Sequence, residues 1–252
     1  RRQQDEGDRQ AVKDIVRSNA EEFLKHYAEK GQLVLTGSHE QTEASLISEW
    51  KKNGGVQKPL DHRIYAATHA EVDRYNAHAQ WERVQASLSD PLESIEHAEK
   101  RFMVGDEVSF ATKNLRLGIR KADSGRVLAC KDGSTGKYLV VKLNTSEEAS
   151  NRESDGDLIK QARKIINSAI KGNTEGHSTH KDLVLVPFKA LSPLQETYAD
   201  LRLNYCQTVH AAQGQSVKNV YVHLGGRMAN RELSYVQGSR HKEKLMLFAE
   251  ER

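Results

Sequence analysis

The first third of the chain alternates between helix-like and strand-like apolar periods. Residues 9–30 repeat apolar side chains at helical spacing up to Gly31, which predicts a single helix ended by a glycine. A short apolar strand at 32–36 precedes a second helix at 38–50. Another strand is predicted at 62–68, with a helix directly after it. Strands and helices in alternation predict a parallel α/β layer.

The pattern changes near residue 100. Over residues 101–187 the apolar positions alternate or form short β-rich runs, which predicts a small antiparallel sheet or barrel. Helical spacing between polar flanks predicts one helical insertion near 156–171. After Pro193 the alternation of strand and helix resumes. The domain assignment is therefore an α/β domain at 1–99 and 188–252, interrupted by a β-rich insert at 100–187.

Composition narrows the class of protein. A hydrophobic fraction of 37% beside 29% charged residues, and no run near the ~20 apolar residues of a membrane helix, predict a cytoplasmic protein without a membrane segment. Cys130 and Cys206 have no CxxC spacing, and His177 and His180 lie in a polar loop. We therefore expect reduced thiols, solvated histidines and no metal site. The highly charged residues 1–10 suggest that the chain begins inside a longer protein.

A net charge of +3 is too even a balance to establish nucleic-acid binding, so motifs must decide. Residues 205–216 (YCQTVHAAQGQS) place Thr208 and His210 on a predicted strand before a turn of small residues, where backbone amides can approach a phosphate. About 25 residues later, a predicted helix ends in Arg240. A guanidinium is always charged and forked, which suits a phosphoryl group in transfer.

In order and spacing, these two segments resemble motifs V and VI of superfamily 1 DNA helicases of the RecD-like kind. The resemblance implies a RecA-like parallel-sheet motor domain. In this family motif V couples single-stranded DNA to the nucleotide, and motif VI supplies an arginine finger to the γ-phosphate. Carried over, it implies DNA contacts at Thr208 and His210, ATP contacts at Gln213, Gly214 and Ser216, and a catalytic Arg240.

Other segments resemble the helicase part of conjugative relaxases. The opening Arg-Arg-Gln and the helix after it are similar to motif IV, which implies a second catalytic arginine at Arg2 and an ATP contact at Gln3. The segment AATHAEVDRYN is similar to a strand-to-helix turn that faces the DNA backbone, although it also fits an ordinary turn. This second similarity implies DNA contacts at Thr68, His69 and Asn76.

The β-rich insert resembles the family's inserted β-barrel subdomain, which helps to hold single-stranded DNA. Residues 101–108 (RFMVGDEV) and 117–127 carry this similarity. Lys113, Arg116, Arg120 and Lys121 concentrate positive charge on one hairpin, which suits phosphate binding, and the first three are the predicted DNA contacts. Such a run is equally typical of a solvated hairpin.

Two departures from the family pattern bear on activity. Gln237-Gly238 replaces a pair of small apolar residues before the end of motif VI, and a glycine inside a helix costs about 1 kcal/mol. There is no GxxxxGK[ST] loop, since GSTGK at 133–137 has the wrong spacing. We therefore expect ATP and Mg²⁺ to be held mainly by a missing first motor domain of a parent protein.

The resemblance implies the C-terminal part of an ATP-dependent 5′–3′ helicase or translocase in conjugative DNA transfer. Its expected partners are single-stranded DNA, the missing N-terminal motor domain and, in a relaxase parent, the relaxase domain. The parent is expected to hydrolyse ATP, and activity of this chain alone is left open. Two alternatives remain: a stand-alone RecD-like repair or phage helicase, and a degenerate helicase domain that only binds single-stranded DNA.

Overall fold

A computed structural model describes most of the 252-residue chain. The described residues are 5–16, 20–133, 136–144, 156–170, 182–189, 197–198, 200–209, 211, 216–224 and 241–251. The chain divides into two compact units, residues 1–82 with 205–252 and residues 83–204. None of the described helices is both long and apolar enough to cross a membrane.

The helices and strands are numbered along the chain. The helices are α1 (Glu6–Val16), α2 (Ala20–Glu29), α3 (His39–Lys52), α4 (His69–Gln85) and α5 (Gly156–Ile170). The strands are β1 (Leu33–Thr36), β2 (His62–Ala66), β3 (Asp90–His97), β4 (Lys100–Val104), β5 (Glu107–Phe110), β6 (Ser124–Gly133), β7 (Gly136–Leu143), β8 (Leu183–Lys189), β9 (Leu201–Leu203), β10 (Cys206–Thr208), β11 (Val217–Leu224) and β12 (His241–Glu250).

The first unit is built on a five-stranded sheet in the order β1-β12-β11-β2-β10. Every neighbouring pair in it is parallel, which confirms the predicted α/β fold. All five residues of β2 are buried, as expected for a strand covered on both faces. The core between sheet and helices includes Phe23, Tyr27, Tyr65, Val220, Val222, Leu245 and Leu247.

The single helix predicted at 9–30 is wrong, because the structure has α1 and α2 packed against each other. Lys30 Nζ lies 2.8 Å from Asp8 Oδ1. In one straight helix, 22 residues at 1.5 Å each would separate these positions by about 33 Å. The chain must therefore reverse direction between them, and the buried Asp8 carboxylate holds the two helices together.

Helix α3 begins at a capping signal that is visible in the sequence. Ser38 caps α3, and its side chain accepts a hydrogen bond from the Gln41 backbone N–H at 3.3 Å. The Gln41 side chain accepts in turn from the Gly37 N–H at 3.0 Å. This reciprocal cap satisfies two backbone donors and fixes where α3 starts after β1.

The second unit contains a five-stranded antiparallel sheet in the order β8-β7-β6-β5-β9 and a separate β3–β4 pair. The predicted helical insertion is present as α5, and it buries Ala162 and Ile166 in a cluster with Leu128, Val140 and Leu183 from the sheet. The described strands form an open order, so closure into a barrel stays a prediction.

The boundaries of the compact units differ from the predicted boundaries at 99/100 and 187/188. Strand β3 lies in the second unit, where it pairs with β4, and β9 pairs with β5 of the same unit. The sequence pattern misses β3 because Ile95 is its one buried residue. It misses the pairing of β9 because a three-residue strand carries too little alternation to reveal its sheet.

A tight turn explains the Gly-Asp pair that marks this unit in the sequence. Gly105 has φ +95°, and a Cβ at this position would clash with the Leu88 carbonyl oxygen. Asp106 is fully buried, and its carboxylate accepts from Ser89 Oγ and from the Met103 N–H, both at 2.8 Å. The pair therefore shapes the turn between β4 and β5.

Candidate DNA and nucleotide interface

Two of the predicted DNA-contacting segments meet at one edge of the parallel sheet. Strands β2 and β10 are neighbours, and Thr208 pairs in register with Ala66. Because both strands run in the same direction, the residues that follow them emerge at the carboxyl edge of the sheet. Thr68 and Thr208, which are 140 positions apart in sequence, are thus brought to the same edge. In open α/β sheets this edge is the usual place for a ligand.

Thr68 and Glu71 form a closed cap at the start of α4. One carboxylate oxygen of Glu71 accepts from the backbone N–H groups of Ala67 (3.1 Å) and Thr68 (2.8 Å) and from the Thr68 hydroxyl (3.0 Å). The Glu71 N–H donates back to Thr68 Oγ1 at 3.2 Å. The carboxylate thus occupies the backbone amide donors of the turn that the family resemblance implies to face the DNA backbone. The exposed side chains of Thr68 and His69 remain the groups that face solvent here.

The turn that follows β10 begins in the same manner. Thr208 is half-buried, and its hydroxyl accepts from the Ala211 N–H at 3.3 Å. This hydrogen bond turns the chain directly after the strand. His210, Gln213 and Gly214, for which the family resemblance implies contacts with DNA and ATP, lie outside the described residues.

Asn76, which was predicted to contact DNA directly, is buried and bonds the backbone at the start of β10. Its side chain is 4% exposed. Its Oδ1 accepts from the backbone N–H groups of Tyr205 (3.0 Å) and Cys206 (2.9 Å), and its Nδ2 donates to the Cys206 carbonyl at 3.2 Å. Asn76 therefore holds the start of β10 against α4, and a base or phosphate would not reach this buried amide.

A cluster of ionisable side chains at the same edge was not predicted from the sequence. The Nδ1 atom of His39 lies 3.0 Å from Glu250 Oε1, and the Nε2 atom of the same ring lies 3.1 Å from Glu43 Oε1. Arg74 Nε donates to Glu43 Oε1 at 2.6 Å. His223 lies beside them, with its ring centroid 4.9 Å from that of His39. Each of these residues ends a strand or lies in the first two turns of a helix, which was the available sequence signal.

Burial controls the ionisation of His223. Its side chain is 1% exposed, and desolvation lowers the pKa of the imidazole despite the nearby carboxylates. Its Nδ1 lies 3.0 Å from the Tyr75 hydroxyl. The ring is thus held in one orientation inside the edge cluster.

The amino edge of the sheet lies opposite the carboxyl edge. It carries Ser216, the predicted nucleotide contact that the structure describes. Val217 at the start of β11 pairs in register with His241 at the start of β12. Ser216, a predicted ATP contact, is half-buried immediately before β11. Arg240 directly precedes His241 in the chain, but Arg240, Arg2 and Gln3 lie outside the described residues.

A buried carboxylate lies next to this amino edge. Asp8 of α1 is 2% exposed and accepts from His26 Nε2 at 2.9 Å, from Lys30 Nζ at 2.8 Å and from His241 Nε2 at 3.2 Å. Burial by itself would raise the pKa of Asp8, but the hydrogen bonds from these three side chains outweigh it and lower the pKa well below its ordinary value. The ionised carboxylate therefore ties α1 to the first residue of β12.

The three predicted cations of the second unit lie on one short loop between β5 and β6. Asn114 and Ile119 exchange backbone hydrogen bonds of 2.9 and 2.8 Å, which close the loop into a hairpin. The loop displays Lys113, Arg116 and Arg120, all exposed, together with Leu115, which is 77% exposed. The structure thus brings these cations together, and it adds an apolar tip that sequence reasoning did not single out.

The structure also locates the two cysteines that were predicted to be reduced thiols. Cys130 and Cys206 are both free, in different units. The predicted solvated histidines His177 and His180 lie outside the described residues.

Comparison with known proteins relates the chain to conjugation proteins. No protein-family model matches the chain. It is 25% identical over 249 residues to the conjugal transfer protein TraA of Agrobacterium fabrum, a match that covers 98% of this chain and 18% of TraA. The probable conjugal transfer protein TraA of Sinorhizobium fredii is 24% identical over 237 residues, covering 93% of this chain and 17% of that protein. The chain thus spans less than a fifth of these relatives.

Solved structures supply the second comparison. The crystal structure of Bacteroides Pif1 bound to single-stranded DNA matches 98% of this chain and 50% of its own chain, with a TM-score of 0.54 and 13% identity. The Bacteroides Pif1 helicase with ADP-AlF₃ and single-stranded DNA gives a TM-score of 0.51 and 12% identity over the same shares. The chain therefore shares the fold of these Pif1 helicase structures. The expected relationship to conjugation proteins is confirmed by the matches to TraA.

Proposed function

We propose that this chain is one half of the motor of an ATP-dependent helicase or translocase, the half that engages single-stranded DNA. The parent enzyme would act in conjugative DNA transfer. The parallel pairing of β2 and β10, with Ala66 opposite Thr208, carries the proposal. It brings two separate predicted DNA-contacting segments to one edge of a sheet. The sequence similarity to TraA and the fold similarity to Pif1 with bound single-stranded DNA support this reading.

The carboxyl edge is the proposed DNA face of the first unit. His69 and Thr208 present an imidazole and a hydroxyl group there, and His210 follows two positions after Thr208. Thr68 would contact DNA from the same turn if its hydroxyl exchanged its hydrogen bond to Glu71 for one to DNA. Such groups hydrogen-bond to phosphate and sugar without reading base sequence. Asn76 acts here as a positioning residue, because it fixes β10 and hence the place of Thr208.

The cationic hairpin of the second unit is a second proposed DNA contact. Lys113, Arg116 and Arg120 attract the phosphate backbone electrostatically. The exposed Leu115 between them offers a surface on which a base can pack. In the proposed parent enzyme, the second unit is the inserted β-barrel subdomain, which helps to hold the single-stranded DNA.

The amino edge is the proposed nucleotide face. Arg240 and Arg2 would stabilise the negative charge that develops on the γ-phosphate in transfer. Gln3, Gln213, Gly214 and Ser216 would lie toward the nucleotide. Because the chain has no phosphate-binding loop, ATP and Mg²⁺ in the parent would be held mainly by a first motor domain outside this chain.

DNA-stimulated ATP hydrolysis by the full-length parent tests this function. We expect stimulated turnover in the wild type and a fall of ~10³ or more in Arg240→Ala, the magnitude typical of an arginine finger. Lys242→Ala, which removes an exposed charge two positions later, is the matched control and should keep wild-type turnover.

The same experiment separates the alternatives. A parent that binds single-stranded DNA but shows no turnover would be a binding module, and the motor proposal would fail. Wild-type turnover in Arg240→Ala would remove the arginine-finger role. A repair or phage parent would show the same turnover without a DNA-nicking activity, and translocation along strands of defined polarity would test the proposed 5′–3′ direction.

A further inference from the structure

Three residues from distant parts of the chain form a candidate ligand set at the carboxyl edge of the first unit. His39 starts α3, Glu71 lies in the first turn of α4, and His223 lies near the end of β11. One ligand atom from each residue lies within 4.8 Å of the others. Two imidazoles and a carboxylate are a donor set that suits zinc-class divalent cations.

His223 provides an independent sign that a ligand is needed. Its side chain is fully buried. Its Nδ1 is paired with the Tyr75 hydroxyl, but its Nε2 is buried with no hydrogen-bond partner among the described residues. A buried polar nitrogen without a partner costs about 1–3 kcal/mol. A bound cation would remove this cost.

The surrounding charges favour a cation as that ligand. Glu43 and Glu71 are 7% and 8% exposed, and Glu250 Oε1 lies 4.0 Å from His223 Nε2. Against these three carboxylates stands the guanidinium of Arg74, which is paired with Glu43. A divalent cation would neutralise the two remaining negative charges at a site where His223 and Glu71 are buried and His39 and Glu250 are partly exposed.

We propose that this chain binds one zinc-class divalent cation through His39, Glu71, His223 and Glu250. His223 coordinates through Nε2 and His39 through Nδ1, and Glu71 uses the oxygen that does not cap α4. The other ring nitrogens are already placed for support. The Tyr75 hydroxyl accepts from His223 Nδ1–H, as hydrogen-bonded imidazole ligands generally require.

Glu43 completes the support, because its Oε1 lies 3.1 Å from His39 Nε2 and can accept a hydrogen bond from the N–H there. Arg74 competes with this arrangement. Its Nη2 lies 2.6 Å from His39 Nε2 and can donate only when that nitrogen is unprotonated. Cation binding at Nδ1 therefore requires that Arg74 release His39 while it keeps its hydrogen bond to Glu43.

The consequence is a link between the cation and the turn that carries Thr68. The Glu71 carboxylate bonds the Thr68 hydroxyl and the N–H groups before α4. A cation on Glu71 would fix this turn together with the ends of β11 and β12. Cation binding by these residues does not depend on ATP hydrolysis.

Calorimetric titration of this chain with zinc chloride, after treatment with a chelator, tests the site. We expect one zinc per chain and at least a tenfold loss of affinity in both His39→Gln and His223→Gln. Cobalt should give the visible absorption of a tetrahedral His/carboxylate site in the wild type and lose it in both variants. His78→Gln, at an exposed position on α4, is the matched control and should bind as the wild type does.

Two further variants make the outcome specific. Arg74→Gln removes the competing donor and a positive charge, so it should bind zinc several-fold more tightly. His26→Gln tests the second possible cluster, Asp5, Asp8 and His26, where Lys30 already pairs with both aspartates. Wild-type zinc affinity in a folded His39→Gln variant, or loss of binding in His26→Gln alone, overturns the proposal. The partly exposed His39 serves this purpose even if His223→Gln does not fold.

Discussion

The carboxylate of Asp8 accepts a hydrogen bond of 3.2 Å from Nε2 of His241, and both side chains are buried. This contact joins α1 to the first residue of β12. Arg240 precedes His241 directly, and Arg2 lies six positions before Asp8. The two chain segments that carry the proposed catalytic arginines are thus fastened to each other through one buried pair.

Asp8→Asn is expected to destabilise the first unit by about 3 kcal/mol. The substitution removes the negative charge that three buried or half-buried donors share, and removing one partner of a buried pair leaves the other uncompensated. Denaturant unfolding of this chain at pH 7 gives the measurement. Asp14→Asn is the control on the same helix, since among the described residues Asp14 bonds only the exposed Gln10, and it should change stability by less than about 0.5 kcal/mol.

The same pair predicts a pH dependence of stability. The pKa of Asp8 in the folded chain is lowered from its ordinary 3.8. Its contribution is therefore fully present above that ordinary value, and it is lost as the pH falls from about 4 toward the lower folded pKa. The difference in stability between wild type and Asp8→Asn should shrink in acid. A difference that stays constant down to pH 2 would contradict this assignment.

Asn76→Ala is expected to cost about 2–4 kcal/mol, because it strands the buried N–H groups of Tyr205 and Cys206. Asn76→Asp keeps an acceptor for both N–H groups, but as a carboxylate it loses the donor to the Cys206 carbonyl and adds a buried charge. It should therefore be the milder variant in denaturant unfolding at acid pH, where the protonated carboxyl is neutral and can donate to that carbonyl. Equal losses in the two variants would mean that the acceptor is not what holds β10.

Replacement of Lys113, Arg116 and Arg120 by Ala is expected to weaken binding to single-stranded DNA and to flatten its salt dependence. Each lost phosphate contact removes about 0.7 from the slope of log affinity against log salt, so three contacts remove about 2. Fluorescence anisotropy with labelled DNA at several salt concentrations gives the slope.

A triple variant with the same charge change controls for net charge. Lys160, Arg163 and Lys164 are exposed on α5, and their replacement by Ala should leave the slope near the wild-type value. If both triple variants flatten the slope equally, the effect is one of net charge and the hairpin is not a DNA contact.

The two thiols are expected to be inert in the folded chain. Burial raises the pKa of Cys130 to about 12 and raises that of Cys206 well above its ordinary value. Both side chains therefore stay protonated at pH 8, and the thiolate is the reactive form. A colorimetric thiol reagent should titrate both cysteines in denaturant and neither in buffer. Fast reaction in buffer would show that the thiols are accessible.

The sequence predicts well what local interactions decide. Ser38 and Gln41 mark the start of α3, and the apolar stripe of α5 is visible before the helix packs on its sheet. The parallel fold follows from the alternation of elements. The hairpin cations were also found, because charge that is clustered in sequence stays clustered on a short loop.

The sequence predicts poorly what depends on distant partners. The residues between α1 and α2 include no glycine or proline to mark the break, and the pair that holds the two helices together, Asp8 with Lys30, spans 22 residues. The bonds of Asn76 reach 129 and 130 positions along the chain, so its burial could not be read from its motif. The approach of His39 to His223 depends in the same way on the strand order.

In the proposed function, the carboxyl edge of the parallel sheet faces DNA and the amino edge does not. Photocrosslinking of this chain to single-stranded DNA tests it directly, with p-benzoylphenylalanine in place of His69, Thr208 or Lys242. We expect crosslinks from positions 69 and 208 at the carboxyl edge and none from the exposed position 242 at the start of β12. Crosslinks from 242 with none from 69 and 208 would contradict the account.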